Sequence, residues 1–245
     1  KSLPPAPLVC IARLIRPDAM SEADPASGHR ARMRARLLAG GAEAFIDQDL
    51  LEYLLALAIP RRDTKPLARQ LLTEFGSFAA IISAEPAELT RIEGLGEGAV
   101  AALKAVQAAA TRLLRADIAS RPVLGSWQSV LDYLHASMAH GLTEQFRVLF
   151  LNNRNMLIRD EVLSQGTVNQ TPVYVREVIK RALELGASAL ILVHNHPSGD
   201  TKPSRDDIDI TNSIVTAGKP MGLAVHDHIV IGARGHASFR SLGLL

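Results

Sequence analysis

The stretch "SALILVHNHPSGDTKPSRDD", residues 188–207, shows how the second half of this chain folds. It opens with a continuous apolar run, which is typical of a strand that is buried on both faces of a sheet. Glycine and proline then turn the chain, and "PSRDDIDITNSIVTAG" continues with the periodicity of a helix. A buried strand that leads directly into a helix predicts an α/β domain.

The α/β pattern extends over residues 122–245. Two runs, "FRVLFLNN" and "NMLIRDEVLSQG", predict a pair of strands, and "LAVHDHIVIGA" predicts another strand near the end of the chain. Between them, "TPVYVREVIKRALELGA" predicts a helix with Thr171 as its cap, Pro172 in its first turn and Gly186 just past its end. Strands and helices therefore alternate along this half of the chain.

Residues 29–117 predict a different structure, a bundle of short amphipathic helices. "DLLEYLLALAIP" repeats apolar residues at helical spacing as far as Pro60, and "KPLARQLLTEFGS" begins near a proline and ends at a glycine. Residues 118–125 contain proline and glycine and predict a linker. Residues 1–28 lack a clear periodicity, and we expect a disordered or non-native extension there, with Met20 as a candidate for the native start.

Within the helical half, "PAELTRIEGLGEGAVAALKAVQ" predicts two helices joined by a turn at residues 94–96 and resembles a helix-hairpin-helix. Such a turn can offer backbone N–H groups to a phosphate. Glu93 and Glu97 flank the turn and would repel phosphate, so we expect a structural or protein-contacting hairpin with at most weak contact to DNA. The arginines of "HRARMRARLL" spread around a helix, which is typical of a solvated face.

Composition limits the classes of protein to which the chain can belong. Its 245 residues are 47% hydrophobic, enough for a substantial core. The 27 basic and 25 acidic residues nearly balance, which argues against a strongly electrostatic binder of nucleic acid or membrane. One cysteine, Cys10, allows neither an internal disulfide nor a thiolate zinc cage. We expect a cytoplasmic protein that does not contact a membrane.

Two histidines at the end of the apolar run are candidate metal ligands. Side chains alternate between the faces of a strand, so His194 and His196 share one face while Asn195 points away. Asp207 follows at the start of the next helix and can supply a third ligand, with the fourth position left for water, as a catalytic zinc requires. Ser204 and Asp207 are three residues apart, however, and this spacing is also typical of a helix capping box without metal.

Other metal-dependent classes fit the sequence less well. There is no His-Glu-x-x-His helix of the common metalloproteases, and the cysteines of the zinc deaminases are missing. The letters "HNH" match the name of a nuclease motif whose residues are dispersed rather than adjacent. A metal-dependent nuclease would usually require oxygen-rich ligands for magnesium or manganese, whereas two histidines favour zinc.

The complete pattern, His-x-His, seven residues, Ser, two residues, Asp, resembles the metal signature of the JAB/MPN metalloprotease domains. "HNHPSGDTKPSRDD", with "REV" upstream and "DHIVIG" downstream, resembles the RadC branch of that superfamily, and the likeness extends from about His29 to the end of the chain. The resemblance implies a helix-hairpin-helix bundle followed by a cytidine-deaminase-like α/β domain. It implies zinc bound by His194, His196 and Asp207, with Ser204 supporting the transition state.

Amide hydrolysis at such a site also requires a base to move a proton. Spacing alone leaves four candidates open: Glu144, Glu161, Glu177 and Glu184. The family has its glutamate immediately before the first strand, and "TEQFRVLFL" matches there. The resemblance therefore implies that Glu144 is the base.

The remaining polar residues near these motifs have less defined roles. His226 and His228 share a strand face, and we expect them to support the structure or the ligands rather than bind metal. Asp227 and His228 match the family's "DH", and Arg176 matches a family arginine to which we assign no chemistry. Asp200 is expected to shape a turn.

We therefore predict a zinc-dependent hydrolase that cleaves a peptide or isopeptide bond in a peptide or protein substrate. The alternative is a DNA-associated repair or recombination accessory protein, in which the hairpin contacts DNA and the α/β domain is a binding scaffold. A scaffold has no need of a base, an oxyanion donor and an open metal coordination site together, so a complete zinc set favours the hydrolase.

Overall fold

A computed structural model of the chain describes residues 25–166 and 173–245, and all structural statements concern these residues. The helices are α1 (Pro25–Gly40), α2 (Asp47–Ala58), α3 (Lys65–Phe75), α4 (Phe78–Ser83), α5 (Pro86–Leu89), α6 (Glu97–Ala119), α7 (Trp127–Met138), α8 (Val175–Glu184) and α9 (Arg205–Gly218). The strands are β1 (Gln145–Leu151), β2 (Leu157–Gln165), β3 (Ala189–Asn195), β4 (Ala224–Gly232) and β5 (Gly235–Ser238). Among these helices, none has the length and apolar character that a bilayer span requires.

The strands form one mixed sheet in the order β2-β1-β3-β4-β5. β3 occupies the centre, antiparallel to β1 and parallel to β4, and all seven of its residues are buried. A strand paired on both edges and covered on both faces has to be apolar along most of its length. This explains why its run of apolar residues is uninterrupted until His194.

Helices cover both faces of the sheet. On one face, α8 and α9 pack against alternate residues of β1 and β3, including Phe146 and Leu192. On the opposite face, α7 and the end of α6 pack against the residues between them, including Leu149 and Val193. The structure therefore has the predicted α/β domain, with one helical layer on each side of a mixed sheet.

The helical half has its own apolar core, built from α2 to α6. α2 ends at Ala58, just before Pro60, and α3 ends at Phe75, just before Gly76, as the sequence predicts. Leu51, Leu55 and Leu71 are completely buried in this core. The prediction of an N-terminal helical region followed by an α/β domain is confirmed.

The predicted hairpin consists of the single-turn helix α5, a turn and the long helix α6. Gly94 in the turn has a φ of 84°, in the left-handed region that favours glycine. A Cβ atom at this position would lie 2.5 Å from Nη1 of Arg62, so the guanidinium closes over the turn. Whether this element functions as a helix-hairpin-helix stays a prediction.

Two boundaries differ from the prediction. Helix α6 continues to Ala119, and Ile118 and Val123 are fully buried in the core beneath the sheet, so residues 118–125 are not a simple linker. Helix α1 begins at Pro25, inside the segment predicted as an extension, whereas residues 1–24 lie outside the described residues. The division into two domains stays a prediction.

Helix α8 begins at Val175, while Thr171 and Pro172, predicted as its cap and first turn, lie outside the described residues. Helix α7 and the short strand β5 were absent from the prediction. β5 has only four residues, Gly235–Ser238, and is too short for a clear alternation to distinguish it from a loop.

Asp227 fixes the end of the chain to β4. Its buried carboxylate accepts hydrogen bonds from the backbone N–H groups of His228 (2.8 Å) and Arg240 (3.0 Å) and from the hydroxyl of Ser238 (2.5 Å). A buried carboxylate is tolerated when donors satisfy it in this way. Asp227 therefore has a structural role that explains its "DH" position without metal chemistry.

Candidate metal centre

Three elements bring four potential metal ligands together at one end of the sheet. His194 lies near the end of β3 and His196 just after it, while Asp207 lies in the first turn of α9. Glu144 comes immediately before β1, and because β1 pairs with β3 with Phe146 opposite His194, Glu144 extends the same face. The ligand atoms of these four residues all lie within 4.8 Å of one another.

The spacing of the ligand atoms fits a single ion. The Nε2 atoms of His194 and His196 are 2.9 Å apart. The Asp207 oxygens lie 3.2 Å from Nε2 of His194 and 3.8 Å from Nε2 of His196. Two atoms bound to one tetrahedral zinc at the usual bond lengths are about 3.3 Å apart. The three side chains are therefore arranged as ligands of one ion would be.

The hydrogen bonds on the other side of each imidazole leave Nε2 facing the cluster. Nδ1 of His196 donates to the backbone carbonyl of Asp200 at 2.5 Å, so in the neutral ring Nε2 carries a lone pair. Nδ1 of His194 is paired with Nε2 of His228 at 2.8 Å. In the neutral form of both rings, lone pairs therefore face the Asp207 carboxylate, and a cation can take the place that a proton would otherwise occupy between them.

The charge properties of the cluster point the same way. Burial by itself would raise the pKa of Asp207, but hydrogen bonds from His194 and His196 hold it well below its ordinary value. The hydrogen bond to Asp207 raises the pKa of His196, although burial opposes this shift. The site thus favours a negative carboxylate next to a positive charge, which a metal ion can supply in place of a proton.

Glu144 differs from Asp207 because burial raises the pKa of its carboxyl group, despite the opposing influence of His194 and His196. A carboxyl group with a raised pKa holds a proton more readily near neutral pH than an exposed one. Such a group is suited to accept a proton and release it again within one reaction.

Ser204 caps helix α9 through a complete capping box. Its hydroxyl donates to Oδ2 of Asp207 at 2.6 Å, and its backbone N–H donates to the same oxygen at 2.7 Å. In return, the backbone N–H of Asp207 donates to Oγ of Ser204 at 3.1 Å. The capping box that the spacing predicted is therefore observed. It also orients the Asp207 carboxylate so that Oδ1 faces His194.

The turn after His196 is held against the end of β4 by a close backbone approach. A Cβ atom at Gly232 would lie 2.7 Å from the carbonyl oxygen of Gly199 and 2.8 Å from Cγ2 of Thr201. Asp200 lies in this turn, and its side chain accepts the backbone N–H of Lys202 at 2.9 Å, as expected for a turn residue. Gly232 is needed because the turn supplies the carbonyl that fixes His196.

Asn195 holds the backbone next to Glu144, a contact that the sequence did not reveal. Its side chain points away from the histidines, as predicted, and reaches the segment before β1. Its Oδ1 accepts the N–H of Gln145 at 2.9 Å and its Nδ2 donates to the carbonyl of Thr143 at 3.1 Å. These two residues flank Glu144. The partners lie about fifty positions upstream, so no local sequence signal could have identified this role.

The other candidate bases lie in ion pairs outside the cluster. Glu161 and Glu184 bind Arg181 at 2.8 and 2.9 Å, and Glu177 pairs with Arg176 at 3.3 Å. The Arg176 side chain is 83% exposed. None of these three glutamates belongs to the cluster of Glu144, His194, His196 and Asp207.

The two later histidines have different surroundings. Nε2 of His226 pairs with Oδ1 of Asn155 at 2.7 Å, at the other end of β4 from the cluster. His228 is fully buried beside His194, and burial lowers its pKa well below the ordinary value for histidine. Only His228 therefore supports the cluster.

The sheet and its flanking helices form a JAB-like α/β domain that carries a candidate metal centre. The family model of the RadC-like JAB domain matches residues 124–244, and that of the UPF0758 N-terminal region matches residues 28–101. A UPF0758 protein of Rhodobacter capsulatus is 58% identical over 213 residues, covering 87% of this chain and all of the relative. One of Ruegeria pomeroyi is 52% identical over 217 residues, covering 89% of this chain and 97% of the relative.

The chain belongs to the UPF0758 family of proteins with a RadC-like JAB domain. Domains of the JAB family often bind zinc, and the cluster of two histidines and two carboxylates is compatible with that property. Membership of the family is compatible with a metal-dependent hydrolase and with a repair-associated protein, and the names of these relatives do not distinguish the two.

We expect Gly232→Ala to weaken metal binding by about 10- to 100-fold, the range typical of lost support for a metal ligand. The added methyl group would displace the turn that contains Asp200, and His196 would lose the acceptor that fixes its ring. Zinc affinity measured by competition with a chromophoric chelator tests this. Gly98→Ala is the matched control, because nothing lies within 4 Å of a Cβ atom there; equal affinity of both variants would contradict the proposed role of the turn.

Proposed function

We propose that this protein is a zinc-dependent hydrolase that cleaves a peptide or isopeptide bond in a peptide or protein substrate. The observation that carries the proposal is the convergence of His194, His196, Asp207 and Glu144, whose ligand atoms lie within 4.8 Å of one another. The RadC-like JAB domain match supports the same class of activity.

The donor set fits zinc better than magnesium. Two imidazole nitrogens and one carboxylate are ligands that zinc accepts, whereas magnesium prefers oxygen ligands only. His194, His196 and Asp207 would hold the ion and leave one position open. When bound, zinc lowers the pKa of water toward about 7 and polarises a carbonyl group.

The proton movements would be carried out by Glu144. As the oxygen of water adds to the scissile carbonyl carbon, the carboxylate of Glu144 takes a proton from that water. When the C–N bond breaks, Glu144 gives the proton to the departing amine. Its raised pKa supports both halves of this exchange.

Ser204 would stabilise the negative charge that develops on the carbonyl oxygen by donating a hydrogen bond to it. In the structure, this hydroxyl donates to Oδ2 of Asp207. For the proposed role it has to rotate toward the substrate, while the backbone N–H of Ser204 continues to hold the carboxylate at 2.7 Å.

Purified protein is expected to contain about one zinc ion per chain, since one complete ligand set is present. His194→Ala and Asp207→Ala should each lose nearly all of it, because two remaining ligands bind zinc weakly. Metal analysis by mass spectrometry after dialysis measures this. His226→Gln, outside the cluster, is the control and should keep its zinc; stoichiometric zinc in both ligand variants would refute the assignment.

Glu144→Gln should retain zinc and thermal stability but lose hydrolysis by about 10²- to 10⁴-fold, the usual contribution of an acid–base group. Glutamine keeps the size of the side chain but cannot accept the proton. The assay requires a screen of peptides and lysine-linked isopeptides, followed by rates on the best substrate.

Glu161→Gln serves as the matched control, because Glu161 lies in an ion pair with Arg181 outside the cluster. Loss of zinc in Glu144→Gln would mean that Glu144 is a metal ligand. Full activity in that variant would mean that another group moves the proton.

The alternative function is that of a DNA-associated accessory protein, and it depends on the helix-hairpin-helix interpretation of residues 86–107. The contacts of the helical half give it little support. Arg30 donates to the backbone carbonyls of Ile59 and Arg62 at 3.2 and 2.6 Å, and Arg36 is paired with Asp49. The helix-hairpin-helix and cytidine-deaminase-like assignments both remain proposals that rest on resemblance.

We expect weak binding of duplex or branched DNA at physiological salt, because Glu93 and Glu97 flank the turn. Fluorescence anisotropy of labelled DNA with the full chain, at several salt concentrations, tests this expectation. Submicromolar affinity with a steep salt dependence would favour the DNA-associated function instead.

A further inference from the structure

We propose that Thr211 and His228 are positioning residues that determine which nitrogen of His194 carries hydrogen, and thereby keep Nε2 of His194 available to zinc. This inference rests on the proposed function only in requiring that the cluster binds zinc. It assigns a role to two residues that do not themselves face the proposed ion.

The three side chains form a continuous chain of contacts through the interior. Oγ1 of Thr211, on α9, lies 2.6 Å from Nδ1 of His228 on β4. Nε2 of His228 lies 2.8 Å from Nδ1 of His194 on β3. Thr211 is 1% exposed and His228 is completely buried, so water cannot replace either partner.

The direction of these hydrogen bonds follows from the contacts of Thr211 on α9. Oγ1 of Thr211 lies 2.5 Å from the backbone carbonyl oxygen of Asp207. Two oxygens at this distance require a hydrogen between them, and the carbonyl has none, so Thr211 donates. Its oxygen can then only accept from His228, which places the hydrogen of that ring on Nδ1.

The direction of the hydrogen bond between His228 and His194 follows from the hydrogen on Nδ1 of His228. The ring of His228 stacks on Phe239 with centroids 4.5 Å apart and meets Phe146 edge to face at 5.9 Å. The ring is also completely buried, and burial of a charged imidazolium is costly, so the ring is neutral and its Nε2 is an acceptor. Nδ1 of His194 therefore donates, and the lone pair of His194 is on Nε2, the atom that faces His196 and Asp207.

The hydrogen bonds through Thr211 and His228 also link two of the proposed ligands to each other. The first is at the backbone carbonyl of Asp207 and the last at His194, whose Nε2 lies 3.2 Å from the Asp207 carboxylate. This series of hydrogen bonds thus begins and ends at residues that would bind the ion. Because Thr211 is one helical turn after Asp207, the first turn of α9 is fixed relative to β3 and β4.

Thr211→Val is the sharpest test, because valine keeps the shape of threonine but cannot accept the hydrogen of His228. His228 would then favour the other tautomer and donate from Nε2, which forces the hydrogen of His194 onto its own Nε2. We expect zinc affinity, measured by chelator competition, to fall by about 10- to 100-fold. Thr211→Ser retains the hydroxyl and should restore the affinity.

Two further measurements separate this role from a structural one. In ¹⁵N-histidine-labelled protein, long-range ¹H–¹⁵N spectra should show the hydrogen of His228 on Nδ1 in the wild type and on Nε2 in Thr211→Val. In a His228→Phe background, which keeps an aromatic ring but lacks nitrogens, Thr211→Val should cause no further loss of zinc affinity. Melting temperatures of the zinc-free variants report any general loss of packing.

The outcomes distinguish this inference from the proposed function. If wild-type protein fails to bind zinc, the proposed function and this inference both fall. If wild-type protein binds zinc and Thr211→Val binds it equally well, only the positioning role is wrong. The role is also wrong if Thr211→Ser behaves like Thr211→Val, or if the hydrogen of wild-type His228 is on Nε2.

Discussion

The site depends on the central position of β3, which is paired on both edges and buried on both faces. Alternation along this strand directs His194 toward α9 and Asn195 toward the opposite layer. His194 meets Asp207 and His228 on its side, while Asn195 binds the backbone on both sides of Glu144. Two adjacent residues of one strand thus fix the candidate metal ligands and the segment that bears the proposed base.

A polar cluster at the end of a buried strand is tolerated because nearly every group in it has a defined partner. Such networks stabilise one arrangement when they are satisfied and destabilise the fold when they are not. Here the backbone carbonyls of Asp200 and Asp207 anchor the far ends of the hydrogen bonds. At the centre, Nε2 of both histidines and the Asp207 carboxylate face one another, and a cation can take the place of the proton that they would otherwise share. The hydrogen bonds that satisfy these buried groups are therefore the same ones that orient the candidate ligands.

The helical half and the α/β half share more than a chain connection. The end of α6 continues beneath the sheet, where Ile118 packs in the same core as α7 and the central strands. α7 leads through residues 139–143 to Glu144, and Asn195 also contacts the carbonyl of Gly141 in this segment at 3.5 Å. The packing of α6 and α7 therefore helps to position the loop that ends at the proposed base.

The sequence by itself determined the local features of this protein. Period and composition were sufficient for α2, α3, the strands β1 to β4 and the entry into α9, because these depend on which residues are apolar and how they are spaced. The spacing of His194, His196, Ser204 and Asp207 identified the candidate ligands for a related reason. These residues lie within fourteen positions of one another, on a strand end and the next helix start.

Only the tertiary structure decided which distant residues join them. The sequence left four glutamates open on spacing alone, and the pairing of β1 with β3 brings Glu144 beside the histidines, whereas Glu161 and Glu184 lie in ion pairs with Arg181. His226 and His228 share a strand face by sequence, yet only His228 reaches His194. The roles of Thr211 and Asn195 carry no local signal, because they depend on contacts with other elements, with His228 on β4 and with the backbone around Glu144. Hydrogen-bond direction and burial are properties of those contacts, and a linear pattern does not contain them.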